Sequence, residues 1–319
     1  MNKSVFLTKL EQCSEEFDVK PGVLLNFFKI LIEKKNITPL ELLYELEVPQ
    51  TNFSRILKFY TDFFLPQSKF LTLKPEVEEE LSKFIINENF LNESDFEDKY
   101  LEIYTEITKE RPSPKRNLDQ FYATPKTILK RALFLHKLNE LYRRKILFLG
   151  DDDHTSLALA LINNSAKIHV VDVDNKILES IEKLSEKFDL NIDTSLADFR
   201  YDKLDSLKGK FDVVFTDPPY TTQGIDLFID KAITCLRLRY SSTIFFCYGN
   251  SLRATERTLS IQKKIMEKDL MISLIEKNFN QYAGAESIGN GSSLYGCVIT
   301  PATKVPKYEK KDKRIYTYE

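Results

Sequence analysis

The chain has 319 residues, 42% hydrophobic and 29% charged, enough to bury a core and remain soluble. Its 46 Lys and Arg against 48 Asp and Glu leave a formal net charge of -2, which gives no support to a chain-wide nucleic-acid-binding role. No apolar run approaches the roughly 20 residues of a spanning helix, and the opening MNKSVFLTKLEQCSEEFD carries acids where a leader peptide does not. A cytoplasmic protein with no membrane attachment is therefore expected. Cys13, Cys235, Cys247 and Cys297 form no C-x-x-C pair, and Cys235 and Cys247 sit in apolar runs as small core residues. His136, His154 and His169 are too scattered for a metal site, and no metal is expected.

Apolar residues recur at helical spacing through Leu40–Leu46 and again through Phe53–Phe59, with Val48-Pro49-Gln50 as the break. Short segments around Phe63–Leu65 and Phe70–Leu73 follow. That order predicts a helix-turn-helix with a small β wing, within a winged-helix-like, mainly helical domain over 1–112. Only Arg55 and Lys58 stand as cations on the second helix, and acids crowd Glu76–Glu80. Dimerisation or packing suits this module better than DNA binding. Lys109–Asn117, KERPSPKRN, reads as a linker.

From 113 to 319 strands and helices alternate. Strands are predicted at Lys145–Leu149, Lys167–Val173, Ile192–Leu196, Phe211–Thr216 and Thr243–Tyr248. Helices are predicted at His154–Asn163, Asn175–Phe188, Gly224–Leu236 and Glu256–Asp269, and a closing β pair at Met271–Phe279 and Leu294–Thr300. The fold class is α/β: a doubly wound, Rossmann-like sheet of the class I methyltransferase type. Ligands of such sheets bind beyond the carboxyl ends of the strands.

Acids stand at four of those ends. Gly150-Asp151-Asp152-Asp153 follows the first strand, where a dinucleotide site has a glycine-rich turn. A phosphate here would meet repulsion of about 4 kcal/mol per contact at ~4 Å and an effective dielectric of ~20. A nucleoside without phosphate fits better. Asp172 stands where an acid binds ribose hydroxyls, and Asp198, followed by Phe199, where an acid accepts from the adenine amine. Asp174 is a ligand of the same kind or the cap of the helix at Asn175. The acidic turn favours a donor whose tail carries only an ammonium, and a polycationic acceptor. Asp217-Pro218-Pro219-Tyr220 resembles the loop with which amino-group methyltransferases bind an amine nucleophile.

GDDD, DPPYT at Asp217–Thr221, DQFYATP at Asp119–Pro125 and YAGAESIGNGSSLY at Tyr282–Tyr295 together resemble the branched-chain polyamine synthase family, the N4-bis(aminopropyl)spermidine synthases. The resemblance implies aminopropyl transfer from decarboxylated S-adenosylmethionine, a co-substrate and not a tightly bound cofactor, to the secondary amine of spermidine. The product nucleoside would be 5'-methylthioadenosine. It further implies a base among Asp151, Asp152 and Asp153, which cannot be told apart in the sequence because clustered acids titrate together. Asp217 and the carbonyls of Pro218 and Pro219 would bind the amine, Tyr220 would pack on it, and Thr221 completes the loop. Glu286 would hold a distal ammonium. Asp119, Gln120 and Tyr122 would close over adenosine or cap the next helix. The charged tail from Lys304 is expected to be mobile and to order over bound ligand. His154 reads as a helix-start residue, and a homodimer through the N-terminal domains is expected. The rival readings are an N-methyltransferase and a ligand-sensing regulator. The first would not explain the acidic turn, and the second would leave it as a sensor.

Overall fold

The computed structural model describes residues 3–46, 48–66, 69–87, 93–249, 255–283, 291–307 and 314–317. Two compact units result, Met1–Asn92 and Glu93–Glu319.

The first unit is built from α1 (Lys3–Phe17), α2 (Pro21–Glu33), α3 (Pro39–Leu46), α4 (Gln50–Phe59) and α5 (Pro75–Asn87). Its core is aromatic: Phe28 lies 5.3 Å from Phe6, 4.9 Å from Phe27 and 4.9 Å from Tyr60, all edge to face, the arrangement the ring quadrupoles favour. The expected helix pair is present as α3 and α4. The expected wing is reduced to isolated antiparallel bridges, Ile37 with Leu71 and Phe64 with Leu73, because Thr61–Phe63 winds into a 3-10 turn instead of extending.

The second unit begins with α6 (Glu93–Lys109) and α7 (Pro125–Lys137) and continues through β1 (Lys145–Leu149), α8 (Thr155–Ile162), β2 (Lys167–Asp172), α9 (Asn175–Phe188), β3 (Ile192–Leu196), β4 (Val213–Thr216), α10 (Thr222–Cys235), β5 (Thr243–Tyr248), α11 (Thr255–Glu267), β6 (Leu270–Gln281) and β7 (Gly291–Ile299). The division therefore falls at Asn92/Glu93 and not at 112/113. α6 packs on α7, and the buried Tyr104 of α6 donates to the carbonyls of Asp153 and His154. The proline-containing segment joins two helices of one unit.

The described strands form one seven-stranded sheet in the order β3-β2-β1-β4-β5-β7-β6. β1 to β5 are parallel, and β7 runs antiparallel between β5 and β6, as the closing pair requires. Strands covered on both faces are buried throughout: β4 and β5 are buried at every residue and mostly apolar. The edge strand β6 alternates instead. Register sets the functional edge. Leu149 pairs with Val171 on one side and Thr216 on the other. Gly150, Asp172 and Asp217 therefore emerge side by side, one strand spacing of about 4.8 Å apart. All four cysteines are buried and free.

Residues 314–317, part of the expected mobile tail, are seated. Ile315 is 1% exposed and joins the core between sheet and α10. Gly224 makes room for it: a Cβ there would lie 2.9 Å from the Pro219 carbonyl oxygen and 3.0 Å from that of Ile315. Both obstacles are backbone, so Gly224→Ala is expected to displace 314–317 and cost about 1–3 kcal/mol. Thermal denaturation together with limited proteolysis of the C-terminal segment measures it; an unchanged melting temperature and cleavage pattern would contradict this packing.

Candidate active site

The turn after β1 is fixed before any ligand arrives. Gly150 adopts φ +73°, and a Cβ there would lie 3.7 Å from Phe228. Its N–H donates to the Val171 carbonyl at 2.8 Å. At the other end His154 also has a left-handed backbone, φ 58°, which is costly for a side chain of its size. Its imidazole is fully buried with neither nitrogen hydrogen-bonded, and burial pulls its pKa down to about 3. It is a neutral helix-start residue and not a base.

The three acids between them face different ways. Asp151 turns back onto α8, accepting from Thr155 N at 2.8 Å and Ser156 N at 3.1 Å. It satisfies the helix's unpaired N–H groups. Asp153 accepts from the Ala123 N–H and from Arg131 Nη1 at 2.8 Å, and is 2% exposed. Asp152 alone of the three lines the cleft. No hydrogen bond or ion pair from a described residue reaches its carboxylate. Burial, then the charges of Asp153, Asp217, Asp172 and Asp151, push its pKa well above the ordinary carboxylate range. Of the three acids, Asp152 is the one whose side chain a ligand in the cleft would meet.

The cleft encloses about 510 Å³ including its open mouth, the size range of small-ligand sites. Asp119, Asp152, Asp172 and Asp217 line it, with Gln120, Gly150 and the apolar Leu118, Val173, Phe199, Pro219, Phe228 and Tyr316. Among the described residues no Lys, Arg or His lines it. Asp172 holds the β1 and β2 ends together, accepting from Asp151 N at 3.0 Å and Asp174 N at 2.8 Å, and burial pushes its pKa up to about 6. Phe199 meets Phe228 edge-on at 4.9 Å, giving the far wall an aromatic corner. Asp119 accepts from Thr317 N at 2.8 Å and Thr317 Oγ1 at 3.0 Å, so the C-terminal segment borders the cleft with Tyr316 in its wall.

Several expected ligands are engaged elsewhere. Asp174 caps α9 and is ion-paired with Lys115 at 2.7 Å. Asp198 is gripped by Arg200, whose Nη2 donates at 2.7 Å, and only its neighbour Phe199 lines the cleft. Thr221 caps α10 and donates to the Ile315 carbonyl at 2.6 Å. The Tyr122 hydroxyl donates to the Pro112 carbonyl at 2.5 Å, and its ring lies under Arg111 at 4.5 Å. Pro218 and Pro219 are buried, and Pro219 lines the cleft. Tyr220 reaches Asp217 Oδ1 at 3.3 Å and the Tyr282 hydroxyl at 3.0 Å. Glu286 lies outside the described residues.

Two residues escape a reading based on strand ends. Arg131 of α7 is 1% exposed. It donates to Asp153 Oδ2 at 2.8 Å, Asp217 Oδ2 at 2.6 Å and Asn280 Oδ1 at 2.8 Å. The signal was present: Arg131 stands on the helical face of Ile128, Ala132 and Leu135, where a cation needs a buried acid. Tyr282 donates to Asp217 Oδ2 at 2.7 Å.

The roles of the turn separate by stability. Asp151→Asn weakens the cap of α8 and is expected to cost about 1 kcal/mol. Asp152→Asn is expected to stabilise the protein near neutral pH, since it removes an unpaired carboxylate among like charges. A carboxyl whose pKa is raised by folding binds its proton more tightly in the folded state. Wild-type stability therefore falls as pH rises from the unfolded to the folded pKa. The advantage of Asp152→Asn should grow across that window and vanish below it. Denaturant midpoints from pH 4 to 9 measure this; a destabilised Asp152→Asn at every pH would refute the assignment.

Residues 99–319 match the family model of the branched-chain polyamine synthase A C-terminal domain. An uncharacterized protein of Methanocaldococcus jannaschii is 41% identical over 182 residues, 57% of this chain and 46% of that one. The N(4)-bis(aminopropyl)spermidine synthase of Thermococcus kodakarensis is 33% identical over 184 residues, 57% of this chain and 52% of that one. The chain thus spans about half the length of the curated relatives it matches. The crystal structure of the branched-chain polyamine synthase from Thermus thermophilus, in complex with N4-aminopropylspermidine and 5'-methylthioadenosine, aligns over 100% of both chains with a TM-score of 0.58. At 18% identity this is a likeness of fold.

Proposed function

The chain belongs to the branched-chain polyamine synthase family, and on that premise we propose that it transfers aminopropyl groups from decarboxylated S-adenosylmethionine to the secondary amine, N4, of spermidine. The observation that carries this reading is Asp152, which no hydrogen bond or ion pair from a described residue reaches, in a cleft lined, among the described residues, by four aspartates and no cation. A phosphate or a free carboxylate meets repulsion on entering such a cleft, whereas sulfonium and ammonium groups are attracted. Loss of the donor's carboxylate is therefore what admits it.

The apolar wall of Val173, Phe199 and Phe228 suits the adenine and thioether portions, and Asp172 suits the ribose hydroxyls. Asp217, steadied by Tyr220 and Tyr282, faces the amine side. The N4 amine is cationic in water and cannot attack until it loses a proton. Asp152 accepts that proton. The nitrogen lone pair then forms a bond to the methylene carbon next to sulfur, and the carbon–sulfur bond breaks. Its electron pair returns to sulfur, leaving neutral 5'-methylthioadenosine. No covalent enzyme intermediate is needed: alignment of nitrogen, carbon and sulfur supplies the acceleration.

Purified protein incubated with spermidine and decarboxylated S-adenosylmethionine is expected to yield methylthioadenosine and spermidine heavier by aminopropyl units; the same mixture with S-adenosylmethionine should not. Methyl transfer in the second mixture, or no product in the first, would overturn the reading. Asp152→Asn should lower kcat by about 100-fold or more. Methylthioadenosine affinity should fall as pH drops through about 6, where Asp172 gains its proton; calorimetric titrations between pH 5 and 8 test this.

A further inference from the structure

Arg131 carries a role that the transfer step leaves unassigned. It rises from α7, outside the strand ends, and is wholly buried. Its guanidinium reaches three chain segments at once: Asp153 in the turn after β1, Asp217 after β4, and Asn280 on β6. Nη2 also donates to the Tyr282 hydroxyl at 3.2 Å, and Nη1 to Thr155 Oγ1 at 3.3 Å. A planar fork with its donors in fixed directions suits such a junction, and a lysine ammonium does not reproduce it.

We infer that Arg131 is a positioning residue: by clamping Asp153 and Asp217 it sets the distance between the two acidic loops and leaves Asp152 as the unpaired carboxylate of the turn. The charges that bear on Asp152 are those of Asp151 and Asp153 in its own turn, Asp172 at the end of β2 and Asp217 after β4, and the Tyr122 hydroxyl ahead of α7 feels its charge in turn. Around Arg131 the titratable groups include Asp153, Asp217, Tyr282, Cys247 on β5 and Tyr104 on α6. Arg111, 3.9 Å from Asp153 on its other side, is the next cation, and its ion pair with Asp153 is the looser one. Two acids near Asp152 thus share one guanidinium, and Asp152 receives none. Without that charge Asp153 and Asp217 would repel each other and Asp152, opening the loops and making Asp152 hold its proton to higher pH.

The activity readout rests on the aminopropyl-transfer reading, so wild-type turnover is established first. Arg131→Gln is expected to lower kcat about 100-fold through misplacement of the reacting groups. It should also move the acid limb of the kcat/KM profile upward by about one pH unit through lost charge compensation. Arg131→Lys keeps the charge and loses the fork. Its acid limb should stay at the wild-type position while kcat still falls. An Arg131→Gln protein whose acid limb does not move overturns the proposal, and so does an Arg131→Lys protein whose limb moves as far as that of Arg131→Gln. If wild-type protein shows no turnover, the functional reading has failed and the clamp is judged without activity. Carbon-13 resonances of aspartate carboxyls are then titrated in wild type, Arg131→Lys and Arg131→Gln, with Asp152→Asn identifying the Asp152 signal. Displacement of that signal's midpoint by less than about half a unit is expected for Arg131→Lys, against about one unit for Arg131→Gln. Equal midpoints in all three proteins overturn the clamp. Circular dichroism checks folding; should Arg131→Gln not fold, a wild-type-like kcat in Arg131→Lys overturns the proposal by itself.

Discussion

Concentrating negative charge in a half-buried cleft is the constraint around which the second unit is organised. Sheet register brings Gly150, Asp172 and Asp217 to one edge, and two of the three are acids. Left alone, buried like charges would drive the edge apart or take up protons. The fold answers with fixed donors: α8 offers its N–H groups to Asp151, backbone amides bind Asp172, and the Arg131 guanidinium is shared between Asp153 and Asp217. Each neutralised acid becomes part of the frame. Asp152 is the residue the frame leaves uncompensated, and that is where proton-transfer chemistry is best placed.

This division of labour also accounts for the periphery. Asp174 and Asp198, which sit after strands like the others, each have a cation of their own in Lys115 and Arg200 and serve as caps and braces. Asp119 reaches the cleft from the segment before α7 and fastens residues 314–317 against the cleft wall. The acids after the strands therefore differ in partner and not in kind.

The layers of the sheet and the location of the site were legible because period-two and fully apolar strand patterns, and acids after strands, are local signals. The direction in which each acid of GDDD points was not. It depends on the left-handed backbones at Gly150 and His154 and on donors supplied by α7 and α8, which no single window of sequence contains. Arg131 was legible in principle, as a cation on an apolar helical face, but its partners lie 22 and 86 residues away along the chain. The attachment of α6 to the second unit was not legible for a related reason. Prolines and charges at 109–117 look like a linker, whereas the attachment of Tyr104 to the carbonyls beyond Asp152 is a tertiary contact without a local signature.

The turn after β1 is bracketed by two left-handed residues, and Asp151 and Asp153 are tied down within it. Its backbone entropy was surrendered during folding, not at the moment a ligand arrives. A cation entering the cleft meets a carboxylate already in place. Affinity is then spent on desolvation and charge matching rather than on ordering a loop. On the proposed reading, selectivity among amines would then rest on where their nitrogens fall and not on how the protein reshapes around them.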